Sequence, residues 1–123
     1  IGKYTSTVDE QYVAYIRPQE NGNKTDVRWL TLTNKEGFGL RIDGLQPLSV
    51  SALRNYPEDF DAGLTKSQRH INDINPRKAV VLHVDLAQRG VGGDNSWGMY
   101  PHEPYLLKAK EYTYGYVISP VAK

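Results

Sequence analysis

The run Val27-Arg28-Trp29-Leu30-Thr31-Leu32-Thr33, the polar break from Asn34 to Gly37 and the run Phe38-Gly39-Leu40-Arg41-Ile42 decide the fold of this chain. β-Branched and aromatic residues suit the pleated surface of a sheet. The first run reads as a central strand, with Trp29 packed in the core. In the second, apolar and polar or small residues alternate, so one face is buried. Asn34 to Gly37 supplies a tight turn between them. Asp43-Gly44 is a turn dipeptide, after which Leu48 to Leu53 resumes a strand.

The strand pattern continues outward in both directions. Tyr12-Val13-Ala14-Tyr15-Ile16 reads as a short strand that stops at Arg17-Pro18, with turn chemistry in Glu20-Asn21-Gly22-Asn23. Ala79-Val80-Val81-Leu82-His83-Val84-Asp85-Leu86 is a near-continuous apolar run and reads as a strand buried on both faces. Tyr105-Leu106-Leu107 and Tyr112-Thr113-Tyr114-Gly115-Tyr116-Val117-Ile118 read as two final strands around a turn at Ala109-Lys110-Glu111. The exception is Asn55 to Ala62, with a capping candidate, Pro57 near a first helical position, and acids in the first turn. That predicts a short helix of about two turns near residues 56–63, ended by Gly63. Thr65 to Lys78 is polar and reads as a long loop. The pattern shows no repeat and no heptads. Many short strands with turns between them predict an all-β fold, an antiparallel β-sandwich.

Composition sets further bounds. Hydrophobic residues make up 39% and charged residues 24%, which suits a folded domain. A net charge of +1 gives no electrostatic reason to expect nucleic acid or a membrane surface. No apolar run approaches the ~20 residues that span a bilayer. No signal-peptide pattern is visible at Ile1-Gly2-Lys3, which says nothing of export if these residues come from a longer protein. With no cysteine there is no disulfide and no thiolate chemistry. Nine tyrosines against two phenylalanines suit half-buried sheet faces, where the ring packs and the hydroxyl stays wet.

Residues able to carry catalysis are few. Glycoside cleavage needs two facing carboxylates, one with a raised pKa. Glu10, Glu20, Glu36, Glu58, Glu103 and Glu111 all read as solvated. His70, His83 and His102 are the three histidines. His83 and Asp85 share a strand face, but a zinc site takes three or four ligands, so a hydrogen-bonded surface histidine is the simpler reading. Asp94-Asn95-Ser96 lacks the ligand spacing of a calcium loop. Ser96 is not in a Gly-x-Ser-x-Gly elbow, and Gly90-Val91-Gly92-Gly93 has no lysine or helix behind it to bind phosphate.

What remains is Gly90-Val91-Gly92-Gly93-Asp94-Asn95-Ser96-Trp97-Gly98. Glycines let a backbone turn sharply and approach closely. The neighbours of Trp97 cannot bury it. Either the indole fills a gap in its own domain, or it projects outward to stack on a ligand or partner. The residues alone leave both open. A sugar's C–H face stacks well on an indole, and Asp94, Asn95 and His102 are placed to serve hydroxyls.

That loop closely resembles the one near the C-terminus of large bacterial β-galactosidases of glycoside hydrolase family 2. Tyr15-Ile16-Arg17-Pro18-Gln19-Glu20-Asn21-Gly22, followed by Thr25-Asp26-Val27-Arg28-Trp29, resembles the Pro-x-Glu-Asn-Gly stretch of the same C-terminal domain, of the small-chain or domain 5 type. Asp85 and the closing tyrosine-rich strand fit as well. The likeness runs in order from about Tyr4 to Ile118. Asn95 stands where some members have aspartate, and Met99 to His102 is variable territory.

The resemblance implies a supersandwich, related to that of galactose mutarotases, of which residues 1–123 are the C-terminal portion. The implied parent is a retaining β-galactosidase acting on terminal β-D-galactosides. Its catalytic glutamates, and its magnesium and sodium ligands, belong to a separate (β/α)8 barrel outside this chain. No catalytic residue, metal ligand or cofactor is therefore expected here, and the fragment is expected to be inactive alone. By motif position Trp97 is implied to stack on the aglycone sugar, glucose in lactose, with Gly92, Gly93, Asp94, Asn95 and Ser96 shaping the loop. Implied partners are the parent's other domains, a galactoside or lactose through Trp97, and further copies in a homo-oligomer. The compartment, cytoplasm or periplasm, stays open. Two alternatives stand beside this: a self-sufficient carbohydrate-binding module, and a purely structural sandwich with Trp97 at an interface.

Overall fold

A computed structural model describes residues 1–15, 21–61, 63–65, 69–90, 93–95 and 97–122 of the chain. Four strands form one sheet: β1 (Lys24–Thr33), β2 (Gly39–Leu53), β3 (Val81–Asp85) and β4 (Tyr116–Val121). β2 is the shared strand, hydrogen-bonded to β1, to β3 and to β4. Its pairing with β4 is antiparallel, from Gly39 opposite Val121 to Gly44 opposite Tyr116. One short helix, α1 (Pro57–Phe60), and several 3₁₀ turns complete the described structure. The fold is therefore mostly antiparallel β-sheet.

The chain divides into two units, one of Ile1–Lys24 with Val50–Val84, the other of Thr25–Ser49 with Asp85–Lys123. β2 runs through both. Its residues Leu48, Ser49, Val50 and Ser51 are buried in succession. Side chains alternate between faces, so both faces of the strand are dry there. Among the described residues the buried aliphatic side chains Ile42, Leu48 and Val50 are all on β2, and Pro101 is buried outside it.

Several sequence expectations change. Phe38–Ile42 and Leu48–Leu53 are one strand, not two. The turn chemistry of Asp43-Gly44 yields to pairing with Val117 and Tyr116 across the ladder. Gly44 serves close approach instead: a Cβ there would lie 2.4 Å from the Gln46 carbonyl oxygen. β1 stands at the end of the strand order, not at its centre. Trp29 is accordingly 38% exposed, outside the core, with the Arg41 guanidinium 4.5 Å over its ring. Arg41 also grips Asp43 through two nitrogens, at 2.7 and 2.6 Å, and that guanidinium holds the Asp43 carboxyl below the ordinary carboxylate range.

In the first unit, Tyr12–Tyr15 lie outside any strand, and Ile16 lies outside the described residues. The Asn21 side chain takes the place of a partner strand: it accepts the Val13 N–H at 2.8 Å and donates to the Val13 carbonyl at 2.7 Å. The expected helix forms at the expected place but is one turn, not two; Ala62 lies outside the described residues. The Asp59 carboxylate accepts the Tyr56 N–H at its start. Residues 70–78 are irregular apart from a 3₁₀ turn, Ile71–Asp73. β3 is half-buried at every position, so it is not covered on both faces.

In the second unit, Tyr105-Leu106-Leu107 is not a strand. Pro104 opens a 3₁₀ turn, Glu103–Tyr105, in which Tyr105 N–H bonds to the His102 carbonyl. The closing strand begins only at Tyr116. Ahead of it the Gly115 N–H is taken by the Gln46 side chain at 3.2 Å, and the Tyr112 hydroxyl donates to the Lys108 carbonyl at 2.7 Å. A side chain that satisfies a strand's backbone stops the ladder as surely as a proline does.

Candidate functional site

The loop between β3 and β4 is closed at its base by backbone. Gly90 N–H donates to the Tyr105 carbonyl at 2.8 Å. Gly90 and Gly93 allow the two limbs to touch: a Cβ on Gly90 would meet the Tyr105 Cβ at 2.6 Å, and one on Gly93 would meet the Tyr100 and Met99 carbonyl oxygens at 2.8 and 2.9 Å. These are positions where only glycine fits. Gly98 turns the loop back with φ of +95°.

Two side chains fix the segment around Trp97. The Asn95 Oδ1 accepts the Trp97 N–H at 2.8 Å, an Asx turn. His102 Nε2–H donates to Asp94 Oδ1 at 2.7 Å, spanning the loop. Asp94, Asn95 and His102 thus each make one hydrogen bond within the loop. The sequence offered no sign of the Asp94–His102 pair, because eight residues apart is not a local pattern. Gly92 and Ser96 fall outside the described residues.

The indole of Trp97 is 91% exposed. Packing does not hold it, so its position follows from the backbone the loop imposes. Tyr100 nearby is 74% exposed, with the Arg89 guanidinium 5.8 Å from its ring centre. Glu103 pairs with Lys108.

The other candidates disperse. Glu10, Glu36, Glu58, Glu103 and Glu111 are exposed, and Glu20 lies outside the described residues. His70 sits beside Asp73 at 3.4 Å, both exposed; His83 is half-buried on β3. Among the described residues no three His, Asp or Glu side chains converge as metal ligands. In the first unit a shallow cavity of about 210 Å³ is lined by Asp9, Tyr12, Arg54 and Asn55 among others. Asp9 and Arg54 pair with each other at 3.2 Å, leaving no free charge to recognise a ligand. Arg77 grips the Asp59 carboxylate through two nitrogens, and its guanidinium lies 4.3 Å over the Tyr56 ring. The hydrogen bonds from Arg77 hold the Asp59 carboxyl below its ordinary range. This cluster ties Arg77 to the start of α1.

The chain is similar to known proteins over most of its length. A sequence model described as the β-galactosidase small chain matches residues 1–118. The chain is 39% identical over 119 residues to a β-galactosidase of Priestia megaterium, covering 96% of this chain and 11% of that protein. It is 32% identical over 123 residues to one of Streptococcus thermophilus, covering 98% of this chain and 12% of that protein. It is 32% identical over 114 residues to β-galactosidase BgaC of Bifidobacterium adolescentis, covering 90% and 10%. The chain therefore spans about a tenth of the length of these relatives.

Proposed function

The chain belongs to the β-galactosidase small-chain family, and from that premise we propose that it is the C-terminal accessory region of an enzyme hydrolysing terminal β-D-galactosides. In this reading its sheet is part of a larger sandwich, and Trp97 is the aromatic wall on the aglycone side of the active site. The parent works with retention, through a galactosyl-enzyme formed by one of two carboxylates on its barrel. This chain supplies neither carboxylate and is inactive alone. Magnesium and sodium, where the parent carries them, belong with the barrel; no described residues here form a ligand set.

One observation carries the proposal: an indole 91% exposed on a loop that Asn95 and the Asp94–His102 hydrogen bond brace on either side of it. An exposed aromatic face is what sugar stacking requires. The test is Trp97→Ala in the intact enzyme. One indole face covers about 100 Å² of apolar sugar surface, which at ~25 cal/mol per Å² is at most about 2.5 kcal/mol, or roughly 60-fold. Glucose and lactose binding should weaken by about 5- to 60-fold within that ceiling, while a nitrophenyl galactoside is cleaved as before. Unchanged glucose affinity refutes the proposal.

An interface role has an observation of its own, since Met99 (53%) and Tyr100 (74%) are exposed beside Trp97. It predicts the opposite split: Trp97→Ala lowers the melting temperature of the intact enzyme and leaves sugar affinity alone.

A further inference from the structure

Asn21-Gly22 is the one Asn-Gly pair in the sequence. In such a pair the glycine nitrogen reaches the asparagine side-chain carbonyl carbon easily, because no Cβ on the glycine stands in the way. The fold nonetheless fixes both residues. Gly22 has φ of +68°, and a Cβ there would lie 2.5 Å from the Gln11 carbonyl oxygen, a backbone atom. Only glycine fits. The Asn21 amide answers both backbone groups of Val13: Oδ1 accepts the N–H at 2.8 Å, and Nδ2 donates to the carbonyl at 2.7 Å. An ionised aspartate would have no donor for that carbonyl. The structure therefore calls for the asparagine dipeptide whose side-chain amide is chemically least durable.

The same two hydrogen bonds guard the amide. Attack by the Gly22 nitrogen turns the Asn21 Cγ tetrahedral, so its oxygen and nitrogen leave the common plane in which they meet Val13. Both bonds must break before the ring can close. An ordinary hydrogen bond contributes a net factor of about 5, so the pair holds the reaction back roughly 30-fold. Asn21 is half-buried and Val13 is exposed, so water reaches the site once the clamp opens.

We propose that Asn21-Gly22 is a site of spontaneous deamidation that the clamp on Val13 keeps latent, and that conversion leaves the clamp permanently open. The Gly22 nitrogen bonds to the Asn21 Cγ and gives up its proton. Nδ2 takes a proton and leaves as ammonia, and a five-membered succinimide remains. Water then opens the ring at either carbonyl, giving aspartate or isoaspartate. One water is consumed and one ammonia released, with no oxidation and no cofactor. Aspartate sets carboxylate oxygens against the Val13 carbonyl, acceptor facing acceptor. Isoaspartate adds a methylene to the main chain beside the close approach of Gly22 to Gln11. Either product releases the Val13 backbone from the segment that leads into β1. The inference stands apart from Trp97 and from the sugar-stacking role.

The test is peptide mass mapping of the intact protein after incubation at mildly alkaline pH, with aspartate and isoaspartate at residue 21 counted separately. In the folded protein Asn21 should convert at least about 30-fold more slowly than in the same protein unfolded in guanidinium chloride. Val13→Pro removes the N–H that Oδ1 accepts, and folded it should convert about fivefold faster than wild type. Val13→Ala keeps both backbone groups and should convert at the wild-type rate. Folded Asn21 converting as fast as unfolded overturns the proposal, and so does Val13→Pro at the wild-type rate. A second measurement needs no variant. In wild-type protein aged until residue 21 has converted, the Val13 amide hydrogen should exchange at least about tenfold faster than in fresh protein. Unchanged Val13 exchange in the converted molecules refutes the opening of the clamp.

Discussion

Gly93→Ala is the sharpest probe of the loop. A Cβ at Gly93 falls 2.8 Å from the Tyr100 carbonyl oxygen, 2.9 Å from that of Met99 and 3.0 Å from the Met99 Cβ. The first two are backbone atoms and cannot swing aside. To reach ordinary van der Waals distance the limbs must part by about half an ångström. Trp97 lies between those limbs in sequence, and its ring has no packing to resist the shift. A displacement of about 1 Å in a positioning contact costs roughly a hundredfold, so half of that costs about tenfold. The assay is galactosyl transfer to glucose in the intact enzyme, measured against hydrolysis of a nitrophenyl galactoside. The expected result is glucose binding about tenfold weaker, with nitrophenyl cleavage within about twofold of wild type. Wild-type glucose affinity refutes the reasoning. So does an equal loss on both substrates, which signals general damage and no displaced platform.

Other consequences follow from the same contacts. His102→Ala removes an exposed hydrogen bond to Asp94 and should weaken glucose acceptance by about twofold to fivefold, the range of such surface pairs; Asp94→Asn, whose amide oxygen still accepts from His102, should retain most of it. Asp59 has its carboxyl pKa lowered, chiefly by hydrogen bonds from Arg77. A lowered pKa adds stability that is complete above the unfolded value of about 3.9 and fades as pH falls through the folded one. Thermal melts of the intact protein should therefore show an Asp59-dependent loss only below about pH 4, and Asp59→Asn should melt roughly 2–4 °C lower at pH 7 while losing that acid-dependent component. A wild-type melting profile for Asp59→Asn would show the clamp to be inert.

The sequence carried the β character of the chain, the β1–turn–β2 hairpin, the one helix near Pro57 and the glycine-rich loop around Trp97, whose exposure only the structure decided. Each of these is set within a few residues: by β-branched runs, by proline at a helix start, by glycines where limbs touch. The family likeness was legible for the same reason, since its motifs are contiguous. What the sequence could not show was long-range. Asp43-Gly44 has the chemistry of a turn, but β4, more than seventy residues later, holds it straight. Tyr12–Tyr15 has the composition of a strand, but Asn21 takes its backbone bonds. Trp29 alternates like a core residue, yet β1 is an edge and Arg41 is its cover. The Asp94–His102 staple exists only once the chain has paired with itself. Which backbone groups face a partner and which face water is a property of register, and distant segments set register together.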